Sequence, residues 1–212
     1  MQTIRIRFEK TGRARFISHL DLLRAMTRAL RRAAVPLWYT EGFNRHPYVT
    51  FAAPLSLGYE GLREAMDIKL EGALSMDELT ARLDAVMPEG LHITGAAEAV
   101  MKPGDLEAAA WRLTFDCPIN EIAEMLLMDS IIVQKKTKKG TYKEVELKPW
   151  LIPAKITANG SGAVMELTLP CSGDNTVNPG LIGEAVAAYA GTPVAMAAVR
   201  IELLGKNGET FK

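Results

Sequence analysis

Histidine is scarce in this sequence, and its three occurrences, His19, His46 and His92, are where acid–base chemistry would have to lie. An imidazole titrates near neutrality and serves as a general acid or base, a metal ligand or a phosphate contact. His92 lies in the alternating run Leu91-His92-Ile93-Thr94 and reads as a strand residue with a structural role. His19 stands near the head of residues 16–32, FISHLDLLRAMTRALRR, and His46 in the loop 41–47, EGFNRHP. Three uses compete for this pair. With Asp21 they could hold a metal, although three scattered ligands make a weak set. One could assist attack of a ribose 2′-hydroxyl on the neighbouring phosphate, as in a metal-independent endoribonuclease. Both could instead bind phosphate or base edges without catalysis. Spacing alone favours plainer roles, a polar group in a first helical turn and a hydrogen-bonding loop residue.

The stretch after Ser18 supplies the setting. Ser18 precedes Asp21 by three residues at the head of an apolar repeat, which is the pattern of a capped helix start. Leu23, Met26, Leu30 and Ala33 are expected to form the buried face, and Arg24, Arg28, Arg31 and Arg32 fall on another. Such a stripe on one helix is ordinarily a solvated face. Here its neighbourhood is basic: residues 1–50 hold ten Lys/Arg against three Asp/Glu, within a chain of zero net charge. Residues 51–102 hold four against nine. Aromatic residues Phe16, Trp38, Tyr39, Phe43, Tyr48 and Phe51 crowd the basic stretch. Most are expected in the core, with Phe43 and Tyr48 flanking a polar loop. Cations beside rings suit single-stranded RNA, which is held by phosphate contacts and base stacking. RNA contacts are accordingly expected at Ser18, His19, Arg24, Arg28, Arg31, Arg32, Phe43, Asn44, Arg45 and His46. Lys135, Lys136, Lys138 and Lys139 form a second and weaker candidate, because lysines at a hairpin tip usually protect an edge.

The elements that must position these groups alternate between strand and helix periods. Residues 2–9, 37–39, 48–52, 65–70 and 91–100 read as strands, with 13–17 extending or pairing with the first. Helices are predicted to about residue 34 and over 75–87, the second opening on Ser75 and Glu78. Met101-Lys102-Pro103-Gly104-Asp105 marks a boundary, after which a similar order recurs: strands at 109–115, 131–134, 142–147, 154–158, 164–169 and 194–204, helices at 118–128 and 178–189. Two tandem ferredoxin-like domains of the α+β class, β-α-β-β-α-β with antiparallel sheets, are therefore expected at 1–102 and 103–212.

Composition narrows the classes. Nearly half of the 212 residues are hydrophobic and a quarter charged, as in a folded globular chain. No apolar run approaches the roughly 20 residues of a membrane helix, and the N-terminus alternates rather than forming a signal-peptide core, so a cytoplasmic location is the default. The two cysteines, Cys117 and Cys171, exclude a zinc ribbon and a four-cysteine iron–sulfur centre, and both are expected as buried thiols. No metal site and no cofactor is expected.

The runs FISHLDLLRAMTRALRRA, PLWYTEGFNRHP and APLSLGYE resemble the radical-SAM-linked protein family, a bacterial domain of unknown function fused to or encoded beside radical SAM enzymes. The likeness covers residues 1 to about 75. The positions carried over are Lys10, Gly12, Phe16, Ser18, His19, Asp21, Arg24, Arg28, Arg32, Gly42, Phe43, Asn44, His46 and Pro47, while Arg45 stands where the family usually has proline. The resemblance implies a radical SAM partner and a setting among RNA-processing and ribosomal genes, but no established activity. The chain lacks a Cys-x-x-x-Cys-x-x-Cys motif and is not itself that catalyst. The expectation is a non-catalytic module binding tRNA or rRNA. The alternatives are an endoribonuclease resembling CRISPR repeat-processing enzymes, using His19 or His46, and a pure protein-interaction subunit.

Overall fold

The computed structural model describes residues 2–137, 140–173 and 176–212. In chain order they form β1 (Gln2–Lys10), α1 (His19–Arg32), β2 (Val49–Phe51), β3 (Glu60–Leu70), α2 (Met76–Asp84), β4 (Leu91–Glu98), β5 (Ala108–Phe115), α3 (Ile119–Leu126), β6 (Ile132–Lys136), β7 (Tyr142–Glu146), α4 (Lys148–Leu151), β8 (Lys155–Asn159), β9 (Gly162–Pro170), α5 (Gly180–Ala190) and β10 (Met196–Leu204). Among the described residues, eight strands share a mostly antiparallel sheet and β6 pairs β7 apart from it. No helix among them is long and apolar enough to cross a membrane. The chain divides into two compact units, Met1–Glu107 with Arg200–Lys212, and Ala108–Val199. Residues 103–107 and 200–212, expected in the second domain, thus belong to the first unit.

In the first unit the strand order is β4-β1-β3, with β2 also on β3 and the second half of β10 beside β3. Ile4 faces Ile68 and Ile6 faces Met66 across β1 and β3, and the odd-and-even alternation of both strands turns these side chains to one face. Leu22, Met26, Ala29 and Leu30 of α1, with Leu79 and Leu83 of α2, close over that face. The buried row of α1 begins at Leu22, not at Leu23 as the periodicity suggests: the steps 22, 26, 29, 30 follow one 3.6-residue stripe, and Leu23 lies at its margin. Residues 12–16 form a tight 3-10 turn (Gly12–Phe16) where strand was expected. Residues 37–39 make only single bridges, Leu37 with Leu70 and Tyr39 with Pro47, because the chain leaves the sheet there as a hairpin. The turn before β4 requires glycine: Gly90 has φ +82°, and a methyl group there would stand 2.5 Å from the Thr11 carbonyl oxygen.

The second unit has strand order β10-β5-β9-β8. Ala109, Trp111, Leu113 and Phe115 of β5 alternate inward, the first three opposite Leu169, Leu167 and Met165 of β9, and Ile122 of α3 and Ile182 of α5 are buried in the same unit. Gly191, at φ +67°, ends α5 in the left-handed conformation that favours glycine. Both cysteines are free thiols; Cys117 is buried, and burial pushes its thiol up, whereas Cys171 is half-exposed rather than buried.

Candidate nucleic-acid interface

The cap of α1 decides what its first turn offers. Ser18 Oγ accepts from the Asp21 backbone N–H at 3.1 Å and donates to Asp21 Oδ2 at 2.7 Å. Arg24 Nη1 donates to Asp21 Oδ1 at 3.0 Å. The serine hydroxyl first, and then the arginine, hold the Asp21 carboxyl below the usual carboxylate range. The helix start therefore already carries an anion, and the positive end of α1 is occupied by its own side chain.

The arginine stripe is not uniform. Arg24 belongs to Asp21, and Arg32 Nη2 donates to the Val86 carbonyl oxygen, two residues past α2. Arg28 and Arg31 are exposed, and their guanidinium groups make no ion pair or hydrogen bond among the described residues. They are the uncommitted guanidinium groups of the helix, one turn apart.

The loop 41–46 is the tip of the hairpin that leaves the sheet after Leu37. The Thr40 N–H donates to His46 O at 2.9 Å and the Tyr48 N–H to Trp38 O at 3.2 Å, which closes its root. Gly42, at φ +109°, makes the turn. Phe43 at the tip is fully exposed, and Asn44, Arg45 and His46 are exposed beside it. His46 Nδ1 lies 2.9 Å from Asn44 O and 3.2 Å from Thr40 Oγ1. A carbonyl only accepts, so Nδ1 is the donor in the contact with Asn44 O.

His19 has a different recorded neighbour. Its ring meets Phe51 edge to face at 5.1 Å, and Phe51 meets Phe8 at 5.8 Å. The neighbours recorded for the two rings, expected in one cleft, are different residues. Among the described residues, the histidine with a carboxylate is His92, whose Nδ1 is 2.6 Å from Asp84 Oδ1. That oxygen also accepts the Ile93 N–H at 2.8 Å, so the pair fastens the edge strand β4. No three His, Cys, Asp or Glu side chains converge on a metal position among the described residues.

Sequence reasoning missed the buried charges behind this surface. Arg5 forks onto Asp67 at 2.8 Å through both Nε and Nη2, beneath the Phe211 ring at 3.9 Å. Arg200 makes the same fork with Glu64 and donates to Ala53 O at 2.9 Å. Lys10 is buried, with Nζ 3.3 Å from Arg15 O; burial chiefly, and Arg200 in addition, lower its pKa against the opposing pull of Glu64. The lysine candidate falls on the β6–β7 hairpin, where Lys135 Nζ donates to Thr176 O at 2.7 Å, and Lys138 and Lys139 lie outside the described residues.

No curated protein matches the sequence. A family model described as an uncharacterized protein conserved in bacteria (DUF2344) matches residues 3–179, and the chain belongs to that family.

Proposed function

We propose that the first unit is an RNA-binding module, non-catalytic by itself, that presents tRNA or rRNA to a radical SAM enzyme in the cytoplasm. The observation that carries the reading is the pair Arg28 and Arg31, exposed and with guanidinium groups that have no protein partners among the described residues, in a unit that also exposes Phe43, Asn44 and Arg45. A guanidinium without a carboxylate retains its full donor fork for phosphate, and an exposed ring has its face available for a base. The radical SAM partner rests on the sequence resemblance. A ferredoxin-like plan for each unit is supported by the order β4-β1-β3-β2 in the first and β10-β5-β9-β8 in the second, where β6, β7 and α4 interrupt the path between α3 and β8.

The test is RNA retention as a function of salt. Affinity for tRNA is expected to fall linearly with salt on logarithmic axes. Replacing Arg28 and Arg31 with glutamate is expected to weaken binding across RNA sequences and to flatten that line by about one unit for each phosphate no longer neutralised. Equal, weak retention at all salt concentrations would sink the proposal. Cleavage of RNA in EDTA that disappears in His46→Ala would favour the endoribonuclease, and a nuclease-resistant complex with an acidic protein would favour an interaction subunit.

A further inference from the structure

The face of the first unit's sheet turned away from α1 carries a second cluster that the arginine surface does not use. Along the outgoing arm of the hairpin, Leu37 and Tyr39 pack against the hydrophobic cluster, and Trp38 between them does not. On the returning arm Val49 packs against the cluster, and Tyr48 before it does not. Lys69 lies between the core residues Ile68 and Leu70, so strand alternation turns it to the same outer side as Trp38 and Tyr48. The three side chains meet there. Lys69 Nζ stands 5.0 Å from the Trp38 ring centroid and 4.6 Å from that of Tyr48, and the ring centroids are 6.5 Å apart.

The backbone fixes this arrangement. The Trp38 N–H donates to Lys69 O at 2.9 Å, and the Tyr48 N–H donates to Trp38 O at 3.2 Å, which locks the strands bearing all three side chains in register. Both rings are half-buried, so each is held yet still reaches solvent. The ammonium lies over π faces and makes no ion pair or hydrogen bond among the described residues. A π face draws on the charge of an ammonium without consuming its three N–H donors, which stay available to an anion. Ordered rings with an uncommitted cation beside them match the two halves of a nucleotide, a flat base and its phosphate.

We infer that Trp38, Tyr48 and Lys69 form a nucleotide-stacking site for single-stranded RNA, with a base on the rings and its phosphate on the ammonium. The site rests on the RNA reading above, but uses residues that reading does not include. Trp38 and the loop-tip residue Phe43 are five positions apart in one hairpin, about 16 Å when extended, so one strand of a few nucleotides can touch root and tip.

Tryptophan emission of the full chain, titrated with short oligouridylate and oligoadenylate, tests the site, with filter retention of the same RNAs measured in parallel. The natural sequence is expected to be quenched. Trp38→Phe keeps a stacking ring and is expected to bind without the quench. Trp38→Leu is expected to bind about tenfold more weakly or worse, within the range for loss of one stacked base. Lys69→Gln, which leaves both rings, is expected to weaken binding about fivefold, and it decides the matter if Trp38→Leu lowers the melting midpoint. Retention with unchanged emission, and natural affinity in Lys69→Gln, would overturn this site and leave the arginine surface standing. Absence of retention under all conditions would overturn both. Equal quenching by polyglutamate, an anion without bases, would overturn the stacking.

Discussion

At the scale of single residues, the chain places small groups where one atom decides the outcome. Ser18→Ala removes the acceptor for the Asp21 N–H and is expected to cost about 1 kcal/mol of stability, measured by urea denaturation. Asp21 has a folded pKa below its unfolded value, so its contribution is present above the ordinary carboxylate pKa of about 4 and is lost as pH falls through the lower folded value. Glu146, which accepts the Ile131 and Lys148 N–H groups at 2.9 and 3.0 Å, is shifted the same way by those bonds. The melting midpoint is therefore expected to fall on acidification below about pH 4, and less steeply in Asp21→Asn. Gly90→Ala forces a methyl group against Thr11 O at a positive φ and is expected to destabilise by more than about 1 kcal/mol.

At the scale of elements, what was legible in the sequence is what neighbouring residues determine. The Ser18 and Ser75 caps, the helices they open and the alternation of β1 and β5 follow from patterns within a dozen residues, and all of them form. The burial of Arg5, Lys10 and Glu64 was not legible, because local alternation assigns charged positions to solvent and the carboxylate–guanidinium partners lie far along the chain. Arg5 finds Asp67 62 positions away, and Arg200 finds Glu64 136 positions away. The arginine helix was legible as a stripe, but which guanidiniums stay uncommitted was not, since Arg32 is taken by Val86, two residues past another helix. Glu64→Ala strands a buried guanidinium without its carboxylate and is expected to cost about 3–5 kcal/mol in chemical denaturation. Leu30→Ala, in the covered face of α1, is expected to cost about 2–5 kcal/mol in the same measurement.

At the scale of the whole molecule, the first unit is discontinuous, assembled from Met1–Glu107 and Arg200–Lys212. Removing residues 200–212 takes away Arg200 and the Phe211 ring over Arg5, and residues 1–107 of that shortened chain are expected to become protease-sensitive, as read by limited digestion. The same arrangement sets a timetable at the ribosome. Residues 1–107 emerge with Glu64 still waiting for Arg200, and 92 further residues (108–199) must be translated first. At 5–20 residues per second that wait is roughly 5–20 s. During it, the nascent N-terminal half carries a carboxylate destined for the interior whose guanidinium fork is not yet synthesised, whereas the second unit, continuous in sequence, has no such delay.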